Sequence, residues 1–276
     1  MSAKHIGMIV PTMDNSFFSS LAVQVEKAMA DRGYQTWMAS CHNDAEREKE
    51  YLRSMADMNM EGIICVSGLS DLPKDLLSKD LPLVWVDRVP ASSKPVPWVA
   101  NDDAHAMEMA VDHLIMQGSS KILLLPGFLA EQQESPRVQG YRRSLEKHGI
   151  DFRQEYILQR SGIRSSEEET GELIRSLFAS GLTADGLITS SDRAAFGAVR
   201  ALQSIGYFVP EDVRLISFDN SSYSAMASPS VSSLDRKTDR LAAKACEILC
   251  RLMAGEKDVP MENIIEVTLQ QRDSSR

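Results

Sequence analysis

Concentrated positive charge is missing from this chain. Its 276 residues carry 30 lysines and arginines against 39 aspartates and glutamates, a formal net charge of −9, and the basic residues form no cluster along the sequence. A chain so acidic lacks the electrostatic footprint with which proteins grip nucleic acid or an anionic membrane, so unaided DNA binding is not expected. Long apolar runs are missing too. Met1-Ser-Ala-Lys-His leads almost at once into a strand pattern without the apolar region of a signal peptide, and no later stretch approaches the roughly 20 apolar residues of a membrane span. A cytoplasmic protein is expected. Cysteine is scarce: Cys41, Cys65, Cys246 and Cys250 show no spacing of a disulfide framework, and reduced thiols are expected. Cys246 and Cys250 are one helical turn apart, yet no histidine or second cysteine pair lies near them in sequence, so packing is the expected role. The five histidines are scattered, without an HExxH arrangement. No GxSxG, no P-loop and no GxGxxG after the first strand is found. Neither a metal, nor a cofactor, nor an enzyme is expected.

What the chain does have is strand, polar bend and helix in regular alternation. With 43% hydrophobic and 25% charged residues it is long enough for two cores. Ile6 to Val10 reads as a strand buried on both faces, Pro11 stops it, and Asp14 or Asn15 can cap a helix. Phe18, Leu21, Ala22, Val25 and Met29 then follow one helical face, with Gly33 as the stop. In open α/β sheets ligands meet the chain beyond the carboxyl ends of the strands, so the loop at Asn15 is a candidate site. Only one of two adjacent helical residues can point squarely inward. Phe17 is therefore expected exposed, as a stacking platform, with Phe18 either core or ligand contact.

The same pattern repeats downstream. Tyr34 to Ser40 is a strand, and Asn43 to Glu46 opens a helix whose charges, Glu46 to Glu50, are expected to form a wet face. Gly62 to Ser67 and Leu83 to Asp87 are strands. The second ends in Val86-Asp87-Arg88, a carboxylate and a guanidinium able to hold vicinal hydroxyls. Ser92 to Pro97 is the expected hinge, and Trp98 to Asp102 leads into a helix ending near Gly118. A second series follows: strand Lys121 to Pro126, helix Ser135-Pro136 to His148, strand Tyr156 to Arg160, helix from Ser166, and strand Gly186 to Thr189 running into Ser191-Asp192. Next come a helix over Ala194 to Ile205, strand Val213 to Asp219, strand Val231 to Leu234 with Arg236 after it, a helix over Thr238 to Met253, and a last strand, Asn263 to Gln270. Arg137 sits in the first turn of its helix, where the dipole disfavours a cation, so another partner is required to explain it. Asp192 and Asp219 each end a strand. Capping or turning alone can explain either, but together they suggest one rim. The alternation predicts parallel sheets with helices on both faces, an α/β class.

The ordered motifs resemble the LacI/GalR family and the related periplasmic pentose and hexose binding proteins over nearly the whole chain. They include Ile6-Gly-Met-Ile-Val-Pro with Asn15-Ser-Phe-Phe18, Gly33-Tyr34, Glu61-Gly-Ile-Ile64, Val86-Asp-Arg88, Asn101-Asp102 and Arg137 with Gly140-Tyr141. They continue with Ser191-Asp192, Ala195 with Gly197-Ala198, Gly206 with Val209-Pro-Glu-Asp-Val213, Ser217-Phe-Asp219 and Gln271-Arg272. The resemblance implies two doubly wound parallel-sheet lobes joined by three crossovers, with a small sugar or sugar phosphate held in the cleft between them. The first lobe would comprise residues 1 to 102 plus about 236 to 256, the second 103 to 235 plus about 257 to 276. Ligand contacts carried over are Asn15, Phe17, Phe18, Asp87, Arg88, Arg137, Ser191, Asp192, Asp219 and Arg236; the last stands where glutamine is common. It further implies a homodimer, and operator DNA reached through an amino-terminal helix-turn-helix that this chain does not include. An effector would then change the lobe angle. The competing expectations are a sugar transporter's solute-binding protein and, less well supported, an enzyme on a similar fold.

Overall fold

The computed structural model describes residues 4–77, 81–90, 95–127, 135–159 and 166–276. In chain order they form β1 (Lys4–Val10), α1 (Ser16–Ala30), β2 (Tyr34–Ser40), α2 (Ala45–Asp57), β3 (Gly62–Cys65), a short α3 (Lys74–Leu77), β4 (Leu83–Val86) and β5 (Trp98–Asn101). A second series follows: α4 (Asp103–Met116), β6 (Ile122–Leu125), α5 (Pro136–Lys147), α6 (Ser166–Ala179), β7 (Gly186–Thr189), α7 (Asp192–Ser204), β8 (Arg214–Phe218), α8 (Ser222–Met226) and β9 (Ser232–Asp235). The chain ends with α9 (Thr238–Met253), β10 (Glu262–Ile265) and β11 (Thr268–Gln270).

These elements belong to two compact units, Met1–Asn101 with Lys237–Ile265 and Asp102–Arg236 with Glu266–Arg276, so the chain passes from one to the other three times. The first unit holds a parallel sheet in the order β10-β5-β4-β3-β1-β2. The second holds β11-β9-β8-β7-β6, parallel except for its antiparallel edge strand β11. Both sheets are buried on two faces, as continuous apolar strands require. In β1, Ile6, Met8 and Val10 join one cluster with side chains of α1 and α9, while Ile9 joins another with Leu52 and Met55 of α2. In the second unit, Leu123, Leu187 and Leu215 pack with α6 and α7, and Ile122, Ile188 and Ile216 with α4 and α5. Adjacent residues of one strand feed opposite layers because successive side chains alternate across a sheet.

The helix starts follow their capping chemistry. Asn15 accepts from the Phe17 N–H at 2.8 Å, and Asp44 accepts from Glu46 and Arg47 at 2.9 and 3.1 Å. Ser135 precedes a proline at the first helical position of α5, and Ser191 accepts from Ala194 at 3.3 Å.

Five expectations change. Residues 156 to 159 of the expected strand 156 to 160 do not form one: a single 3₁₀ turn spans Gln154–Tyr156, Ile157 makes one isolated bridge to Leu124, and Arg160 lies outside the described residues. The last strand divides into β10 and β11, one for each sheet. That division places the third crossing after Ile265 rather than near 256. The expected hinge at 92 to 97 lies partly outside the described residues; Pro95 to Pro97 lead into β5 of the first sheet, and the crossing falls after Asn101. Finally, Glu48 is no part of a wet face. It is 1% exposed and accepts from Ser67 Oγ at 2.5 Å and the Gly68 N–H at 2.8 Å, fastening the end of β3 from 20 residues away. Lys74–Leu77 and Ser222–Met226 are short helices that the sequence pattern did not show.

Two glycines mark places where helices nearly touch. A Cβ at Gly140 of α5 would overlap the Ala104 carbonyl of α4, and one at Gly197 of α7 would overlap the Glu167 carbonyl of α6. Alanine favours a helix over glycine by up to about 1 kcal/mol, but here it meets rigid backbone. Gly140→Ala is expected to lower stability by about 2 kcal/mol in urea unfolding, whereas a stabilised variant would show that the helices can part without cost.

Candidate functional site

Each unit gathers polar side chains where its strands end, and the two gatherings are described in turn. In the first unit the rim is built by the α1 entrance and the β4 terminus. Asn15 is half-buried, its side chain occupied by the cap. Phe17 and Phe18 are 2% and 5% exposed, edge to face with centroids 5.3 Å apart, and both belong to the core beneath α1 and α9. Phe17 is therefore not the exposed platform expected. Helical side chains lean toward the amino terminus, so in a first turn both neighbours can tuck under the preceding strand end. Arg88 lays its guanidinium 5.3 Å from the Phe18 ring and 3.9 Å from the Asp87 carboxylate. Asp87 has φ +67°, and the Arg88 N–H donates to the Val86 carbonyl at 2.7 Å, so the strand ends in a γ-turn with a positive central φ. That is a rare and strained turn for a non-glycine residue, and such strain collects at working sites.

In the second unit the rim is denser. Asp219 ends β8 with φ +102° and is followed by Asn220 at +50°. Its N–H donates to Leu234 of β9 at 3.0 Å, as the Asp87 N–H donates to Val99 of β5 at 2.9 Å. The two units thus end a strand in the same way, with an aspartate turned out of the sheet at positive φ. Asn220 is clamped from two sides, by Arg272 donating to its Oδ1 at 2.6 Å and by Ser233 accepting from its N–H at 2.9 Å.

Arg137 has the partner its place in the helix demanded. Its Nε donates to Asp103 Oδ2 at 2.9 Å, and its Nη1 reaches the Pro126 and Ser190 carbonyls at 3.4 Å each. The guanidinium lies 4.0 Å from the Phe218 ring centroid. An ion pair and a cation–π contact offset the dipole penalty, which is only tenths of a kcal/mol at a surface. Arg236, 4% exposed, stands 4.0 Å from Asp103 Oδ1 and 3.8 Å from Asp219 Oδ1. Four of these charges therefore form one chain: Arg137, Asp103, Arg236, Asp219. Burial alone would raise the Asp103 carboxyl, but the guanidinium groups of Arg137 and Arg236 outweigh it and hold the group below the usual aspartate value.

Asp192 is not part of that chain. At 2% exposure its Oδ1 accepts from the Ser217 and Ser233 hydroxyls, the latter at 2.8 Å, and its Oδ2 accepts from Ser221 N–H and Oγ at 2.6 and 2.7 Å. Four donors fill the carboxylate that was expected to meet a ligand, an arrangement suited to a scaffold. Ser191, 6% exposed, caps α7. Conversely Asp103 was missed. Its only sequence signal is an acidic residue directly after the capping Asp102, which reads as ordinary helix-dipole chemistry. Among the described residues no group of three or more His, Cys, Asp or Glu side chains is arranged to hold a metal ion, and no helix is long and apolar enough to cross a membrane. The four cysteines are free, and burial pushes the Cys246 thiol up to about 12.

Two doubly wound sheets, parallel but for one edge strand, each end their strands in a polar rim, and comparison with known proteins supplies the family. Residues 3–272 match the profile described as periplasmic binding proteins and sugar binding domain of LacI family, and the chain belongs to that family. It is 29% identical over 253 residues to the HTH-type transcriptional repressor PurR of Aliivibrio fischeri, covering 90% of this chain and 74% of the relative. It is 26% identical to the ribose operon repressor of Halalkalibacterium halodurans, covering 89% and 72%. Among solved structures it is similar to a LacI-family transcriptional regulator of Sanguibacter keddieii, with TM-score 0.88, 25% identity and coverage of 100% and 99%. All three relatives are named as transcriptional regulators or repressors.

The two aspartates predict different phenotypes. Asp192→Ala strands buried serine donors and is expected to cost roughly 3 kcal/mol in urea unfolding; a near-neutral effect would remove the scaffold role. Asp103 has a depressed carboxyl pKa, so its stabilisation is complete above the unfolded value near 4 and is lost as pH falls through the lower folded value. The stability gap between the parent and Asp103→Asn should therefore be present at pH 6 and close toward pH 3. An equal gap at both would contradict the assignment.

Proposed function

We propose that the chain is the effector-sensing and dimerising core of a cytoplasmic transcriptional regulator, and that its two strand-end rims serve one small carbohydrate effector. The observation that carries the reading is the second unit's row of alternating donors and acceptors, Arg137, Asp103, Arg236 and Asp219, beside Phe218. Vicinal hydroxyls present donors and acceptors in such pairs, and charge-assisted hydrogen bonds to them fix orientation and identity. In the first unit Asn15, Phe18, Asp87 and Arg88 would complete the contacts, with Phe17 supporting Phe18 from the core. Operator recognition would rest on a helix-turn-helix, as in the relatives named for one, because this chain has a formal net charge of −9 and no cluster of basic residues along its sequence. Effector binding would favour one arrangement of the units and so bias DNA affinity by its preference between states.

A second reading, the solute-binding protein of a sugar transporter, is supported by the family description, which covers both kinds. Light scattering separates them: a regulator core is expected to be a dimer, a transport receptor a monomer.

A thermal-shift panel of pentoses, hexoses and their phosphates tests the site. A ligand at one hundred times its dissociation constant stabilises the folded state by about 2.7 kcal/mol. The matching sugar is expected to raise the melting temperature, and Arg137→Ala or Asp219→Ala should abolish the shift. Unchanged affinity in both variants would refute the assignment.

A further inference from the structure

The charges of the second unit's rim are matched pairwise. Arg137 is paired with Asp103 at 2.9 Å, and Arg236 stands between Asp103 and Asp219 at 4.0 and 3.8 Å. Much of Arg137 is already engaged: Nε by the carboxylate, Nη1 by two carbonyls, and one π-face by Phe218. Asp192 adds further negative charge on the same strand ends, already filled by serine donors. A phosphate binding at the Nε side of Arg137 would have to displace Asp103, and anywhere on this rim it would lie close to a carboxylate; like charges at about 4 Å repel strongly where water is scarce. A neutral polyol meets no such cost. Asp103 also keeps an acceptor in hand: its buried Oδ1 makes no hydrogen bond among the described residues, with Arg236 as its charged neighbour at 4.0 Å.

From this we infer that Asp103 is the specificity-determining residue of the rim, excluding phosphorylated and other anionic effectors and accepting a hydroxyl of a neutral one. The inference rests on the rim being the effector site, and it narrows that reading from carbohydrate in general to uncharged carbohydrate. It also explains how a site with two arginines avoids becoming an anion trap: Asp103 lies at the helix start of α4, 34 residues before Arg137, and engages both guanidinium groups at once.

Inorganic phosphate is the probe, because it reports the charge of the rim without knowledge of the effector. Phosphate binding is followed by phosphorus NMR and by thermal shift against sodium chloride at equal ionic strength, in the parent, Asp103→Asn, Asp103→Ser, Arg137→Met, and Asp103→Asn combined with Arg137→Met. The parent is expected to show no phosphate binding that depends on Arg137. Asp103→Asn should bind phosphate at least about tenfold more tightly than the parent, since one opposing charge in contact with the site has been removed, and the double variant should lose that gain. Asp103→Ser repeats the test should the asparagine variant be poorly folded. Phosphate binding by the parent that Arg137→Met abolishes would overturn the inference, as would the absence of any gain in both Asp103 single variants. A gain in phosphate binding with no response to any neutral sugar would leave the charge argument standing and sink the carbohydrate reading alone.

Discussion

The carboxylate of Asp192 holds the second unit's rim together. It accepts hydrogen bonds from Ser217 on β8, Ser233 on β9 and both donors of Ser221 in the loop after Asp219, while it starts the helix that follows β7. Three strand ends are thus tied to one buried charge. A buried carboxylate is costly unless its lone pairs are filled, and here the donors arrive in matching number. The same feature decides what Asp192 does not do. Asp219 at the equivalent strand end faces Arg236 instead, so the serines around them give two aspartates different partners.

Strain and charge are arranged alike in the two units. Asp87 and Asp219 end central strands of separate sheets, both at positive φ and both bonded through N–H to the next strand. Each has an arginine close by, Arg88 at 3.9 Å and Arg236 at 3.8 Å. A non-glycine residue pays of order 1 kcal/mol or more for such a backbone, which persists only where the surroundings enforce it. In the second unit the enforcement is visible: Arg272, Ser233 and Asp192 grip Asn220 and Ser221 immediately beyond the strained residue.

The parts of this architecture that were readable from sequence depend on local pattern. Apolar runs mark β1, β3, β4, β6 and β7 because strands buried on both faces leave no room for polar residues. The limits of Gly186–Thr189 and Thr238–Met253 agree because turn residues bound the one and a sustained helical face defines the other. What was not readable depends on partners distant in sequence. Glu48 looks like any charge on a helix until Ser67 and Gly68 are folded against it. Asp103 meets arginines 34 and 133 residues away, and nothing in its own neighbourhood announces them. Phe17 was misplaced because a helical wheel assigns directions for mid-helix positions, whereas a first turn has the strand end beneath it. The single final strand failed for a topological reason, since Glu266 and Val267 carry the chain from one sheet to the other without interrupting the apolar alternation.

The threefold passage of the chain between its units has a consequence for biosynthesis. Residues through Asn101 leave the ribosome before the second unit, yet their core still lacks Leu241, Ala245, Cys246 and Leu249 of α9, and their sheet lacks β10. The second unit is likewise unfinished until the very end, because Ser274 and Ser275 are fully buried and bind Leu215 and Ser232. Neither half can close its core until these late segments are made, and partially formed parallel sheets with open edges are the species most exposed to aggregation. The nascent polypeptide is therefore a natural client for chaperones, and a chain ending before Ser274 would leave the second unit without its last buried contacts.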